Sequence, residues 1–346
     1  LVFRSKDGIA ASPPEALSTF DELPDLEWEM LDEMEPYIRK INALSHKTRY
    51  MTILTGLGCN FRCTFCHNAI LGKKHRMRSA ESIVDEMNRL HENYGVVEFG
   101  FADENFFADK RRVRRLIDLL KTNSQSFKWS STLRANFIGE KYLDKALLKE
   151  IADVGGYYFG IGAESGNPSV LKKLKKGITV DDILNSARVT RDLDITLTYS
   201  FIAGVPGETC SMTIDTLRLI RRLRKINPKS LLIGPQVFRP YPGSPLFDEA
   251  VEMGMKLPAD WNDADEFLRS LFQFKRINRD SIPWHAEPSK FRYLLLSFQL
   301  LQRQFSSRKS IALLPVKLLS WIRLKTGFYR CFIERPVLEL YNKRLT

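Results

Sequence analysis

From about residue 49 the chain alternates between short apolar runs and longer stretches in which apolar positions recur every three or four residues. The short runs predict strands at 50–56, 95–102, 128–134, 157–164, 195–203 and 231–239. The longer stretches predict helices near 79–93, 109–122, 140–153, 179–192, 209–225 and 244–253. Two helix starts carry a capping residue followed by early acids, Ser79 with Glu81 and Thr179 with Asp181 and Asp182. Gly155 and Gly156 mark the end of the third helix. Six strands alternating with six helices predict a parallel sheet joined by right-handed crossovers. Both a partial (β/α)6 barrel and a doubly wound open sheet satisfy that alternation.

The flanks read differently. Residues 1–48 form a connector, with Pro13-Pro14 and an acidic stretch from Asp21, read as extended chain with a short helix. The chain opens on Leu1 inside a strand-like run, Leu-Val-Phe-Arg, so the connector is expected to follow an upstream domain. Residues 256–346 are a C-terminal extension. Within it Phe291, Leu294, Phe298, Leu301 and Phe305 make an apolar helical stripe, and a second amphipathic stretch starts at Leu313. Such stretches either cap a barrel with a solvated outer face or lie on an anionic membrane; the cap is the commoner use.

Charge sharpens this division. The net charge is +12, and residues 285–346 hold twelve Lys/Arg against three Asp/Glu, so the tail carries +9. The remaining +3 is spread over the body, which has neither a basic stripe nor an aromatic stacking motif; nucleic acid is therefore not an expected partner. Hydrophobic and charged fractions of 44% and 27% are those of a soluble globular protein. No run approaches the ~20 apolar residues of a spanning helix. Sparse cysteine and an N-terminus without a basic-then-apolar leader fit a reducing, cytoplasmic setting.

Three of the five cysteines fall within eight residues, Cys59-x3-Cys63-x2-Cys66, directly after the first predicted strand. Three thiolates could hold zinc with His67 or His75 as fourth ligand, although the second cysteine pair typical of zinc ribbons is missing: Cys210 and Cys331 stand alone. They could equally ligate three corners of a four-iron cube and leave the fourth iron open. Their place at a strand's C-terminal end favours the barrel, where active sites gather.

The cysteine spacing, with Phe65 before the last cysteine, resembles the signature of the radical S-adenosylmethionine (SAM) superfamily. That resemblance implies a partial TIM-like barrel with a [4Fe-4S] cluster held by Cys59, Cys63 and Cys66. It further implies SAM bound on the open iron and cleaved reductively to a 5′-deoxyadenosyl radical, with electrons from a flavodoxin or ferredoxin. Motifs at the other strand ends extend the likeness over residues 10 to 255. Phe99-Gly-Phe-Ala-Asp103-Glu104-Asn-Phe resembles the Phe-x-Asp-Asp/Glu-x-Phe variant of the cobalamin-associated branch, which implies that Asp103 and Glu104 grip the SAM ammonium. As plain sequence the same pair also reads as a solvated turn. Arg134 ends the third strand as a carboxylate clamp. Gly160-Ile-Gly-Ala-Glu164-Ser165-Gly166 resembles the family's Gly-Ile/Val-Glu-Ser-Gly, implying that Glu164 and Ser165 contact the ribose or methionine end.

Phe201-Ile-Ala-Gly204-Val205-Pro-Gly-Glu208 is similar to the adenine-contacting motif but has Ser200 for its first glycine and a glutamate one residue late. Gly204 and Val205 are carried over as adenine contacts, with Phe65 packed nearby; Glu208 reads as the start of the next helix. Arg239-Pro-Tyr241-Pro-Gly243 is either a rigid turn or a substrate-facing loop.

Members of this branch methylate unactivated carbons or form and oxidise rings, and the expected substrate is a small or lipid-like molecule. C-methylation is the leading expectation and a cobalamin-independent activity such as methylthiotransfer the alternative; a zinc-stabilised, non-catalytic binding protein is the reading from another class. The cobalt-ligating string Asp-x-His-x-x-Gly does not occur in the chain, so any cobalamin would come through a domain outside it.

Overall fold

A computed structural model of the chain describes residues 2–5, 8–11, 21, 26–42, 44, 46–69, 75–258, 282–302, 314–326 and 336. Six parallel strands form its central sheet: β1 Lys47–Leu54, β2 Glu98–Ala102, β3 Lys128–Thr132, β4 Gly156–Glu164, β5 Thr196–Ala203 and β6 Leu231–Val237. Their spatial order is their chain order. A doubly wound sheet reverses order at a switch point; here no reversal occurs, and right-handed crossovers all in one direction put every helix on one face. The sheet therefore curls into a half-barrel. Among the described residues it does not close: β1 pairs on its outer side with the short antiparallel strand Arg39–Ile41, and no described strand lies beyond β6.

Helices α1 Ala80–Tyr94, α2 Lys110–Thr122, α3 Lys145–Asp153, α4 Pro168–Lys173, α5 Val180–Thr190, α6 Cys210–Ile226 and α7 Pro245–Glu252 follow the strands. Both expected caps form: Ser79 Oγ accepts from the Ser82 N–H, and Thr179 and Asp182 make a reciprocal capping box. Helix α3 starts five residues later than its pattern predicts. Residues 135–137 form a 3-10 turn, Ile138 bridges to Leu143, and Asp144 caps the helix instead. Helix α4, unanticipated, is capped by Asn167 with Pro168 at its first position.

Outward-facing strand residues build the core under these helices. Trp129 stacks on Phe101 with ring centroids 5.2 Å apart, and Phe106, Phe107 and Phe159 pack against the same indole, all buried. Full burial of such a side chain is worth about 1.5–3 kcal/mol. Inward positions are small or polar instead, among them Thr132, Gly160, Gly162, Thr198 and Ser200. The pleat thus separates a greasy outer face from an open lumen.

The connector lies along α1. Trp28 Nε1 donates to Glu86 at 2.9 Å, Arg89 donates to the Leu26 carbonyl, and the Ser79 N–H donates to Asp21. Beyond the barrel, α8 Pro288–Gln302 buries Phe291, Leu294 and Phe298, the first members of the predicted stripe, and α9 Leu314–Thr326 packs on α8 and α6. The side chain of Leu301, together with Phe305, Leu313, Pro13-Pro14 and Cys331, lies outside the described residues. No helix among the described residues is long and apolar enough to cross a membrane.

Candidate active site

The cysteine loop leaves β1 and is fastened at both ends. At its start, Gly58 N–H donates to Glu104 at 3.1 Å and Asn105 donates to Asn60 at 2.8 Å, tying it to the loop after β2. At its centre, Thr64 donates its hydroxyl to the Lys173 carbonyl and its N–H to that of Leu174, at the end of α4. The Leu246 N–H at the start of α7 donates to the Thr64 carbonyl. One residue therefore joins the first strand's loop to elements after the fourth and sixth.

These ties turn all three thiols, Cys59, Cys63 and Cys66, onto one cavity of about 470 Å³ at the strands' C-terminal ends. That volume is typical of small-molecule sites, about 300–1,000 Å³. Burial raises the thiol pKa values of Cys59 and Cys66, and repulsion from Cys63 adds to it. Arg134 answers that charge. Its guanidinium sits where the Cys63 charge favours it, lies 3.5 Å from the Phe61 ring centroid and donates to the Lys176 carbonyl. Burial lowers its own pKa, against the pull of the neighbouring thiols and Glu164.

Glu164 lines the cavity beside Arg134. It sits at φ +60°, a conformation that costs a non-glycine residue about 1–3 kcal/mol, and such strain gathers at functional sites. Its carboxylate accepts from Lys176 at 2.9 Å, and the Lys176 ammonium lies 5.7 Å from the Phe65 ring centroid. Gly162 makes room for this pair, since a Cβ there would collide with the Glu164 carboxylate and stand 2.7 Å from Lys176 Nζ. A Cβ at Gly160 would meet nothing within 4 Å, so that position opens onto the lumen.

Of the residues singled out by sequence, Phe65, Glu104, Arg134 and Glu164 line the cavity with the three cysteines. Asp103, Ser165, Gly204 and Val205 do not line it. Asp103 is buried with both carboxylate oxygens engaged: Oδ1 with His75 at 3.0 Å and the Asn105 N–H, Oδ2 with Arg112 at 3.0 Å. Burial alone would raise its pKa, but His75 and the Arg112 charge hold it low. Ser165 Oγ lies 3.0 Å from the Thr216 hydroxyl on α6, and a Cβ on Gly166 would stand 2.5 Å from the Asp215 carbonyl. In the Glu-Ser-Gly string, then, the glutamate faces the cavity while the serine and glycine seat the strand end on α6. Gly204 is covered by the tail: Trp284 Nε1 donates to its carbonyl at 2.7 Å, and a Cβ would stand 2.8 Å from Phe291. Glu208 accepts from the Gly204 and Val205 N–H groups and from Thr213. Tyr241 lies over His67 with ring centroids 6.3 Å apart, placing the turn after β6 beside the cysteine loop.

Sequence reading missed Lys176, Thr64 and Thr198. Thr64 sits inside the cysteine motif and could have been asked for a partner; Lys176 follows an unanticipated helix and carries no local signal.

The residues present fit a cube with one open iron better than a single ion. Among the described residues, no three His, Cys, Asp or Glu side chains converge on a point where one metal ion could sit. Thiolates that each take a different corner need a shared cavity and not a shared point. Two buried polar atoms on the wall, Arg134 Nε and Thr198 Oγ1, have no protein partner, as expected where a polar ligand supplies one.

Residues 53–220 match the family model of the radical SAM superfamily. This stretch is a radical SAM domain. An uncharacterized methyltransferase of Pyrococcus horikoshii is 27% identical over 75% of this chain and 54% of its own length. A bacteriochlorophyllide d C-12(1)-methyltransferase of Chlorobaculum tepidum is 26% identical over 88% of this chain and 61% of its own. Among solved structures, the cobalamin-dependent SAM radical enzyme OxsB superposes with a TM-score of 0.62 at 15% identity, over 95% of this chain and 56% of that one. That likeness shows the half-barrel fold. The chain thus spans about half to three-fifths of the length of these relatives.

Proposed function

We propose that this chain is the catalytic part of a radical SAM enzyme that alkylates carbon, most simply a C-methyltransferase. The observation that carries the reading is the single cavity in which three free thiols face Arg134, Glu164 and Lys176. Cys59, Cys63 and Cys66 would hold a [4Fe-4S] cluster with one open iron. When bound, the cluster supplies one electron to the sulfonium of SAM, releasing a 5′-deoxyadenosyl radical. The remaining work belongs to the side chains. Glu104 and Glu164 offer carboxylate oxygens to the SAM ammonium, Arg134 offers donors to its carboxylate, and Phe65 gives the nucleoside an apolar face. Gly160, Thr198 and Ser200 put small, uncharged groups on the part of the lumen through which a small or lipid-like substrate approaches the adenosyl carbon.

An external one-electron donor, flavodoxin or ferredoxin, completes the reaction, and cobalamin would come through a domain outside this chain. Names of the methyltransferase relatives support methylation. Methylthiotransfer is disfavoured by the tail, whose described part is helical where a basic RNA-binding β-barrel would be expected. Contact with a membrane rests on a separate feature, the helix α9.

The test is anaerobic reconstitution with iron and sulfide, reduction by dithionite, and chromatography for 5′-deoxyadenosine after adding SAM. Release of 5′-deoxyadenosine that disappears in the Cys63→Ala variant supports the reading. Colourless protein holding one zinc sinks it.

A further inference from the structure

Helix α9 turns apolar side chains outward among its described residues. Val316, Ser320 and Arg323 are buried against the body, whereas Leu314, Leu318, Trp321 and Ile322 are 51%, 59%, 39% and 41% exposed. A helix that merely caps a barrel turns its apolar stripe inward. Here a serine and an arginine are inside, and an aromatic and three aliphatic residues share the outer face with Lys325. The expectation of a solvated basic outer face on the tail fails on these residues.

The surroundings of that face are basic. Helix α6 packs beside α9 and exposes Arg218, Arg221, Arg222 and Lys225; Arg218, Arg221 and Lys225 fall three and four residues apart on one side, with Arg222 next to Arg221. The Arg221 guanidinium lies 5.9 Å from the Trp321 ring centroid and the Lys325 ammonium 5.3 Å from it. Asp215 is the acidic residue on this side of α6; it pairs with Arg218 and accepts from Asn167, so its charge is already answered. An apolar centre containing tryptophan, ringed by long cationic side chains, matches the boundary between lipid tails and anionic headgroups.

We propose that the α9–α6 face docks on an anionic lipid surface, with Leu314, Leu318, Trp321 and Ile322 entering the headgroup layer and Arg221, Arg222, Lys225 and Lys325 meeting lipid phosphates. An acidic protein would satisfy the cations equally. The contiguous aliphatic face, which offers no hydrogen bond, favours lipid. This docking does not depend on the radical reaction, and its test needs no turnover.

Reconstituted full-length chain is floated with vesicles of phosphatidylcholine alone and with about one-third phosphatidylglycerol, at low and high salt. Flotation is expected with the anionic vesicles at low salt, at least tenfold above the neutral ones, and is expected to fall severalfold in high salt. Trp321 emission should shift to the blue with those vesicles, a shift missing in Trp321→Phe. Leu318→Asp/Ile322→Asp should abolish flotation. Arg221→Glu/Arg222→Glu, which keeps every apolar residue of the face, should weaken it tenfold or more, both variants keeping their cluster absorbance. No flotation of wild-type protein on anionic vesicles at low salt overturns the proposal. So does a wild-type dimer in lipid-free buffer that Leu318→Asp/Ile322→Asp converts to monomer, since the face would then join two copies of the chain.

Discussion

Glu164 and Asp103 occupy equivalent places, each ending a barrel strand after a run of glycine, alanine and aromatic residues, and they meet opposite fates. Glu164 is held at positive φ on the cavity wall with Lys176 beside it. Asp103 is turned away and locked between Arg112, His75 and the backbone of Asn105. What separates them is the cation each strand end meets. Arg112 lies in the first turn of the helix that follows β2, and it also donates to the carbonyls of Thr55 and Phe106. A saturated carboxylate of this kind fixes the loops around a site; one that lines the cavity with Lys176 as its ion-pair partner can exchange that partner for a ligand. The contrast suggests that strand-end acids of this fold divide into those that build the mouth and those that bind in it.

The largest effect concerns what the mouth was built for. Replacing Cys59, Cys63 and Cys66 with alanine should remove iron and visible absorbance completely while leaving the far-ultraviolet circular dichroism of the half-barrel unchanged. Iron retained at wild-type stoichiometry would break the comparison at its root, because the cavity would then have no metal to serve.

Next come the two acids themselves. Asp103→Asn leaves Arg112 buried beside a neutral partner, which should cost about 3–5 kcal/mol of stability. At about 2–4 °C per kcal/mol for a domain of this size, the melting midpoint should drop by roughly 10 °C. Binding of SAM to the remaining folded, reconstituted protein should stay within a few-fold. Glu164→Gln should do the reverse. Losing a charge-assisted hydrogen bond, worth about 1.5–3 kcal/mol, should weaken SAM binding about 10- to 100-fold, with a smaller drop in melting than in Asp103→Asn because the Lys176 that loses its partner is less deeply buried than Arg112. Calorimetric titration beside thermal melts reads both; equal binding losses in the two variants would erase the distinction.

Gly162 and Gly160 sharpen it further. Gly162→Ala drives a methyl into the space of the Glu164–Lys176 pair, so SAM affinity should fall about as far as in Glu164→Gln. Gly160→Ala meets no neighbour and should leave melting and affinity near wild type, its effect confined to substrates that reach deep into the lumen. Should Gly160→Ala prove the more harmful for SAM, the cavity wall has been assigned to the wrong side of β4.

Much of this was legible in the sequence, for reasons tied to particular residues. Strand and helix periodicity marked all six units, most clearly where a strand's outer face is as apolar as Leu197, Tyr199 and Phe201 of β5. Local capping chemistry fixed α1 and α5 at Ser79 and Thr179. The cysteines were readable because three thiols so close have few uses. What sequence could not settle was direction. Ser165 and Glu164 are neighbours in one motif, yet one bonds α6 and the other faces the cavity, a result of a left-handed backbone that nothing in a single sequence announces. Lys176 and Arg112 depend on packing between distant elements and were invisible for the same reason. The tail was misjudged on its outer face because an amphipathic pattern states how far apart apolar residues fall, not which way they turn.

Glu208 supplies the smallest and most discriminating case. It belongs with Asp103 as a builder, accepting from the N–H groups of Gly204 at 2.7 Å and Val205 at 3.1 Å and from Thr213 at 2.8 Å, yet among the described residues no cation pairs with it. Burial therefore wins over three donors and pushes its pKa up to about 6. The folded protein then binds more protons than the unfolded chain between the ordinary carboxylate pKa and about 6, so this group's contribution to stability falls as pH rises through that window. Above the window the ionised form costs about 2 kcal/mol relative to a neutral carboxyl. Glu208→Gln keeps an acceptor for both N–H groups and cannot ionise. Its melting midpoint should lie a few degrees above wild type at pH 8, and the gap should close toward pH 5. A gap independent of pH would mean that hydrogen bonding, and not the buried charge, sets the energetics of this loop, and Glu208 would then behave as Asp103 does without needing an arginine.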